Sequence, residues 1–212
     1  MAAKNILHKI TIGLPSTGLI RIETAVSLAA LVSTTKNMQF YLDTPTTCYI
    51  HQNREDIVTK ALRMKSDYIL FIDSDMAFPP DGLTRLLEHK VDIIGANYNQ
   101  RSIPIKSVVK LDPECVAEGE VTYVKQSDGI VTASFENNNE PFKCRAVGAG
   151  FLLINTKVFK KIPQPWFFFR PSSHPKGMIG EDVWFCDRAR EQGYDIWCDP
   201  TIQINHIGIG IY

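Results

Sequence analysis

Tyr68-Ile69-Leu70-Phe71-Ile72-Asp73-Ser74-Asp75-Met76 is the stretch on which the fold turns. Its first five residues form an uninterrupted apolar run, as expected of a strand covered on both faces of a parallel sheet. A strand with one wet face would alternate instead. Upstream, residues 8–14 (HKITIGL) are a short β-branched run stopped by Pro15, Ser16, Thr17 and Gly18. Residues 20–34 carry Ile22, Val26, Ala29 and Ala30 at helical spacing, and residues 39–42 predict a second strand. Residues 53–65 predict a second helix, with Ile57, Val58, Ala61, Leu62 and Met64 on its apolar face. Downstream, Pro79, Pro80 and Asp81 open a third helix through Leu87, proline being tolerated in a first helical turn. Residues 91–96 predict a fourth strand.

This β-α-β-α-β-α-β order implies an α/β domain with a mostly parallel, Rossmann-like sheet and helices on both faces. Ligands bind beyond the carboxyl ends of strands in such sheets, so the loops after Leu14, Ile72 and Ala96 are where a site belongs. The second half differs. Residues 121–124 and 130–135 flank Ser127-Asp128-Gly129, a hairpin signal. Asn137, Asn138 and Asn139 form a polar loop, and residues 142–147 and 151–154 predict strands around Gly148-Ala149-Gly150. A helix over 180–192 precedes a strand over 195–198. No linker separates the halves, so 1–212 is expected to be one compact unit with two functional lobes, 1–100 and 101–212.

The 212 residues carry 23 basic and 23 acidic side chains, which excludes a disordered tail and disfavours a strongly electrostatic nucleic-acid binder. A chain of this length buries roughly 70% of its unfolded surface and needs neither metal nor disulfides to fold. The five cysteines (Cys48, Cys115, Cys144, Cys186, Cys198) are odd in number and lack CxxC spacing, which argues for free thiols in a reducing compartment. No apolar run approaches the roughly 20 residues that span a bilayer; the longest, 25–32, is interrupted by Ser27. The start, Met1-Ala2-Ala3-Lys4-Asn5, lacks a secretory signal, so a cytoplasmic protein is expected.

Three features carry chemistry. Asp73 and Asp75 end the most apolar strand, and alternation along a strand would put both on one side of Ser74. Carboxylates crowded at a ligand-binding edge repel, which a divalent cation or a sugar hydroxyl relieves; otherwise they face water beside the Pro79-Pro80 turn. Glu181 and Asp182 fall at a helix start, where the macrodipole favours acids, and one of them could accept a proton from an incoming hydroxyl. His206, in an apolar context, gains meaning from the other two.

An aliphatic strand ending in Asp-x-Asp, a Gly-Glu-Asp helix start about a hundred residues later, and a late His together resemble the nucleotide-sugar glycosyltransferases of the GT-A fold. Asn53-Arg54-Glu55 is similar to their Arg-Asn segment, with Glu where Asn is common, and Gly148-Ala149-Gly150-Phe151 resembles their small-residue loop. Glu181-Asp182, Asp187-Arg188 and Gly193-Tyr194 are similar to a segment of the large inverting family 2. The resemblance implies a Mn²⁺ or Mg²⁺ on Asp75, completed by His206, with Asp73 holding the ribose and metal-bound water. It implies that Leu14, Pro15, Ser16 and Thr17 receive the nucleobase and Arg54 the nucleotide, with Ser74 and Gly150 also at the donor. Asp182 is then the general base and Glu181 positions the acceptor. A cation would stabilise the leaving diphosphate while a carboxylate on the opposite side of the sugar carbon activates the acceptor, inverting the anomeric centre.

Tyr98 and Arg101 could contact the diphosphate or donor sugar, or be an exposed loop pair. Trp166-Phe167-Phe168-Phe169-Arg170 fits a core cluster better than a sugar platform. Residues 171–180, with His174 and Lys176, read as a lid or a plain loop. The implied donor is a nucleoside diphosphate sugar, UDP-linked in most resembling enzymes. The acceptor stays open among glycan, protein, small molecule and hydroxylated nucleic-acid base. A DNA acceptor would need a basic surface, for which Lys106, Lys110, Lys143, Arg145, Lys157, Lys160 and Lys161 are the candidates. The rival readings are a haloacid dehalogenase-type phosphatase with Asp73 as nucleophile, a non-catalytic sugar- or nucleotide-binding module, and a retaining transferase.

Overall fold

The computed structural model describes residues 8–101, 107–111, 140–171 and 177–208, and the backbone of 122–125 and 131–134. Lys106, Cys115, the turn at 127–129, the loop 137–139, His174 and Lys176 lie outside the described residues. In chain order the first elements are β1 (His8–Gly13), α1 (Ile22–Thr34), β2 (Met38–Asp43), α2 (Ile50–Arg63), β3 (Tyr68–Ile72), β4 (Met76–Ala77), α3 (Gly82–Glu88) and β5 (Ile93–Ala96). A hairpin of β6 (Thr122–Lys125) and β7 (Val131–Ser134) follows, then β8 (Phe142–Cys144), β9 (Phe151–Asn155) and a 3₁₀ turn at Thr156–Lys160. The chain continues through β10 (Arg170–Pro171), β11 (Met178–Ile179), α4 (Glu181–Glu191), β12 (Ile196–Asp199) and β13 (Asn205–His206).

Seven strands make one sheet in the order β2-β1-β3-β9-β5-β12-β8. Strands β2, β1, β3, β5 and β12 run parallel, and β9 and β8 run against them. β9, from the second half, lies between β3 and β5 of the first, so the halves share a single sheet. β3 is buried on both faces, and its side chains divide by alternation. Ile69 and Phe71 join the core under α2 and α4, whereas Leu70 and Ile72 join the core under α1 and α3. Fully burying each such side chain contributes roughly 1.5–3 kcal/mol. Among the described residues no helix is long and apolar enough to cross a membrane.

Most expected elements shift by one to three residues at an end, and two of these shifts have a visible cause. The strand expected over 142–147 ends at Cys144, because the backbone of Arg145 and Ala146 bonds Lys110 rather than a sheet neighbour. The helix expected to start at residue 53 starts at Ile50, because the Asn53 side chain is spent on the preceding loop, accepting from the backbone and hydroxyl of Thr47. Four two-residue strands, β4, β10, β11 and β13, gave no signal in the sequence. β4 and β13 pair antiparallel, His206 opposite Met76, and this pairing carries the late histidine to the end of β3.

Candidate active site

The site lies at the carboxyl edge of the sheet, where Gly13, Asp43, Ile72 and Ala96 end their strands. β3 stops at Ile72, and Asp73-Ser74-Asp75 is a turn into β4. The expectation that alternation places both aspartates on one side is therefore corrected: the strand geometry it assumed has already ended. Asp73 and Asp75 have separate partners. Between them the Ser74 carbonyl accepts from the Arg21 amide and the Thr24 hydroxyl, anchoring the turn to the start of α1.

Asp73 belongs to a buried hub built on Arg54, which is 2% exposed. Arg54 Nη2 donates to Asp73 Oδ1 at 2.8 Å, Nε to Glu181 Oε1 at 3.1 Å and Nη1 to the Ala149 carbonyl at 3.3 Å. Its guanidinium also lies 5.4 Å from the centre of the Phe71 ring. Burial works against the charge, but Asp73 and Glu181 outweigh it and raise the guanidinium further above its ordinary range. With each nitrogen engaged inside the protein, Arg54 is a strut joining α2, the Asp73 turn and α4. It is not placed to meet a nucleotide directly, as the resemblance had implied.

Asp75 belongs to a second cluster. Its Oδ2 lies 3.5 Å from His206 Nε2 and 3.1 Å from Arg101 Nη2. The Asp75 carbonyl also accepts from the Ile207 amide at 2.7 Å, fixing the two segments together. Burial pushes the Asp75 carboxyl up, yet His206 and Arg101 hold it below the usual range; the Asp75 contact raises His206 in turn.

This pair fits a divalent cation. His206 Nδ1 is 3.0 Å from the Asn99 carbonyl, which can only accept, so Nδ1 carries a proton and Nε2 faces the Asp75 carboxylate, where either a proton or a metal cation can sit between the two. Metal-binding histidines are oriented in this way. A separation of 3.5 Å is compatible with two neighbouring ligands each about 2.1 Å from one ion. A mixed oxygen and imidazole donor set suits Mn²⁺ better than Mg²⁺. Among the described residues no three His, Cys, Asp or Glu side chains form a ready-made cluster, and Asp73 faces Arg54.

Glu181 and Asp182 open α4, after Gly180 as N-cap. Glu181 is the hub's second carboxylate, and Asp182 Oδ1 accepts from the Val183 amide at 2.7 Å. Burial first, then the neighbouring Glu181, push Asp182 up to about 6, within reach of neutral pH. Among the described residues, the carboxylates of the two clusters, Asp73, Asp75, Glu181 and Asp182, meet the guanidiniums of Arg54 and Arg101 and the imidazole of His206.

The Gly148-Ala149-Gly150 segment packs on Tyr98, whose hydroxyl accepts from the Gly150 amide at 2.9 Å. Burial, then Asp73 and Asp182, push that hydroxyl well up, so it stays neutral. Tyr98 is buried and sets its edge against the His206 ring, which makes it a support of the site more than a donor contact. A Cβ on Gly150 would stand 2.5 Å from Met76 Cε and 2.7 Å from the Tyr98 hydroxyl. Gly150→Ala is expected to cost about 1–3 kcal/mol in urea unfolding, as overpacked cores do; an unchanged midpoint would show that the two side chains yield freely.

Leu14 and Ser16 are buried and Thr17 is exposed; Pro15 lies buried between the first two. Asn53 ties this loop down: Nδ2 donates to the Ser16 carbonyl at 3.4 Å and to the Thr47 carbonyl at 3.1 Å. A cavity of about 260 Å³ opens on the α1 side of the loop, walled by Leu14, Leu28 and Leu42 with Ser16, Thr44 and Thr46 at its polar rim. On the α2 side, Asp43 Oδ1 takes the Lys60 ammonium at 2.6 Å, whereas Oδ2 is buried with no hydrogen-bond partner among the described residues. The sequence reading missed Asp43; its place as the last residue of β2, at the ligand edge, was the signal available.

The aromatic run divides as its burial dictates. Trp166 and Phe167 are core, with Phe167 stacked on Phe185, while Phe168 is 44% exposed against Trp184. Among the described residues, several of the basic candidates have local partners. Lys143 pairs with Asp195, Lys157 with Asp92 and Arg145 with Asp187, and Lys161 lies over the Tyr194 ring. Lys157 and Lys160 border a polar recess at the amino edge of the sheet, with His8 and Tyr68, opposite the site.

Among solved structures the chain is similar to A197 from STIV, with a TM-score of 0.62 over 95% of this chain and 86% of that one, at 16% identity. A likeness at that identity establishes the α/β fold. No protein-family model and no curated protein matches the sequence.

Proposed function

We propose that this chain is a metal-dependent glycosyltransferase that moves a sugar from a nucleoside diphosphate sugar, UDP-linked by expectation, to an acceptor hydroxyl with inversion. One observation carries the reading. Three segments far apart in sequence meet at one sheet edge with divided roles: Asp75 and His206 offer a metal-type donor pair, and Asp182 is a half-buried carboxyl near neutrality. The loop of Leu14, Pro15, Ser16 and Thr17 receives the base, beside the cavity that Leu14 and Ser16 line. Asp75 and His206 hold Mn²⁺, which when bound stabilises the charge that develops on the departing diphosphate.

Asp73, held through Oδ1 by Arg54, keeps the turn in register. Asp182 takes the proton from the acceptor hydroxyl, and a base near 6 is mostly deprotonated at pH 7 yet still basic enough to act. Glu181, fixed by Arg54, holds its neighbour at the mouth of α4.

The test is calorimetric titration of UDP, GDP and their sugars with and without Mn²⁺, on wild type and Asp75→Ala. One nucleotide is expected to bind only with metal, and the variant to lose at least about tenfold in affinity. No nucleotide binding with any metal would overturn the reading and direct attention to phosphatase assays with Asp73→Asn as control.

A further inference from the structure

Arg101 is 51% exposed on its side chain, and its guanidinium sits on Asp75 Oδ2, the same oxygen that His206 Nε2 approaches. A second Arg101 nitrogen reaches the Ile207 carbonyl at 3.5 Å, on the segment that carries His206. The guanidinium is therefore held from both sides of the Asp75–His206 pair. One carboxylate oxygen cannot give its full interaction to two cations at once, so a metal on Asp75 competes with Arg101. A displaced Arg101 stays tethered beside the divalent ion, where like charges repel until an anion arrives between them.

We propose that Arg101 is a placeholder cation, neutralising Asp75 while metal is absent and turning onto the diphosphate when metal and nucleotide bind. It thereby couples the two binding events. The inference rests on the reading of Asp75 and His206 as the metal pair. Linkage then requires reciprocity: the factor by which UDP tightens Mn²⁺ equals the factor by which Mn²⁺ tightens UDP. Arg101 supplies part of that factor, because the same guanidinium opposes the metal alone and favours the metal with diphosphate.

The test is Mn²⁺ titration by electron paramagnetic resonance, with and without UDP, on wild type, Arg101→Gln, Arg101→Lys and Asp75→Asn. Arg101→Gln is expected to bind Mn²⁺ alone about two- to fivefold more tightly, the scale of an exposed ion pair. The same variant is expected to bind UDP in the presence of Mn²⁺ about tenfold more weakly, as a lost charge-assisted contact would give. Arg101→Lys keeps the charge and should shift both constants less. Opposite signs from one substitution cannot arise from local unfolding, which would weaken both. Arg101→Gln with unchanged or weaker binding of Mn²⁺ alone overturns the placeholder, while wild type that binds Mn²⁺ and UDP together leaves the metal pair standing. Wild type indistinguishable from Asp75→Asn, with UDP present, overturns both.

Discussion

Asp182→Asn is expected to lower sugar transfer by about 10²–10⁴-fold, the usual contribution of a positioned general base, while leaving Mn²⁺-dependent nucleotide binding within about twofold. The same substitution should stabilise the fold. Asp182 is raised from the ordinary aspartate range to about 6, because burial and then Glu181 disfavour its charge. The sign follows from linkage: native protein binds this proton more tightly than unfolded chain, so holding the group ionised costs stability once pH exceeds both values. That cost is fully present above about 6 and absent below the unfolded value near 4. An uncharged asparagine avoids it, on the order of 1–3 kcal/mol at pH 7.5, with the gain fading toward pH 4. Wild-type turnover should fall on the acid side of about 6, and thermal melts of both proteins across pH 4–8 supply the second curve. An active Asp182→Asn, or one that is inactive but less stable at pH 7.5, would remove this residue from the role of base.

The β-α order, the buried β3 strand and the sheet edge on which Asp73 and Asp75 lie were legible because periodicity and loop chemistry are local signals. The apolar run at 68–72 needed no tertiary knowledge to be assigned to a covered strand, and the alternation of Ile69 and Phe71 against Leu70 and Ile72 follows from the pleat alone. What the sequence hid was partner choice. Nothing local indicates that Asp73 turns to Arg54 while Asp75 turns to His206, since those bonds span 19 and more than 100 residues. The β4–β13 pair is two residues long on each side and has no period to detect, yet it fixes where His206 stands. Arg54 stood out in the sequence as a candidate ligand, and in the structure it is a buried ion-pair hub. A guanidinium looks like a nucleotide ligand until its burial beneath two carboxylates is known.

Arg54→Met should therefore unfold this protein more readily than any single change to an exposed site residue. The cation has two carboxylates, at 2.8 and 3.1 Å, whose side chains are only 25% and 11% exposed. Removing it strands Glu181 and Asp73 as buried, uncompensated charges, which costs about 3–5 kcal/mol. At roughly 2–4 °C per kcal/mol for a domain of this size, the melting temperature should fall by about 6–20 °C. Arg54→Lys preserves the charge, but one ammonium cannot reproduce the fork that spans both carboxylates and the Ala149 carbonyl, so an intermediate loss is expected. The diagnostic variant is Arg54→Met combined with Glu181→Gln. Removing the stranded charge should return part of the loss, whereas independent sites would simply add. Asp182 reports the same field by another route, since Arg54 is the opposing charge that holds its carboxyl down against burial and Glu181. In whatever fraction of Arg54→Met folds, Asp182 should protonate at a higher pH than in wild type, seen by carboxyl-carbon NMR. A double variant no more stable than the single one, with Asp182 titrating as before, would mean that the hub carries neither the packing of α4 nor the tuning of its base.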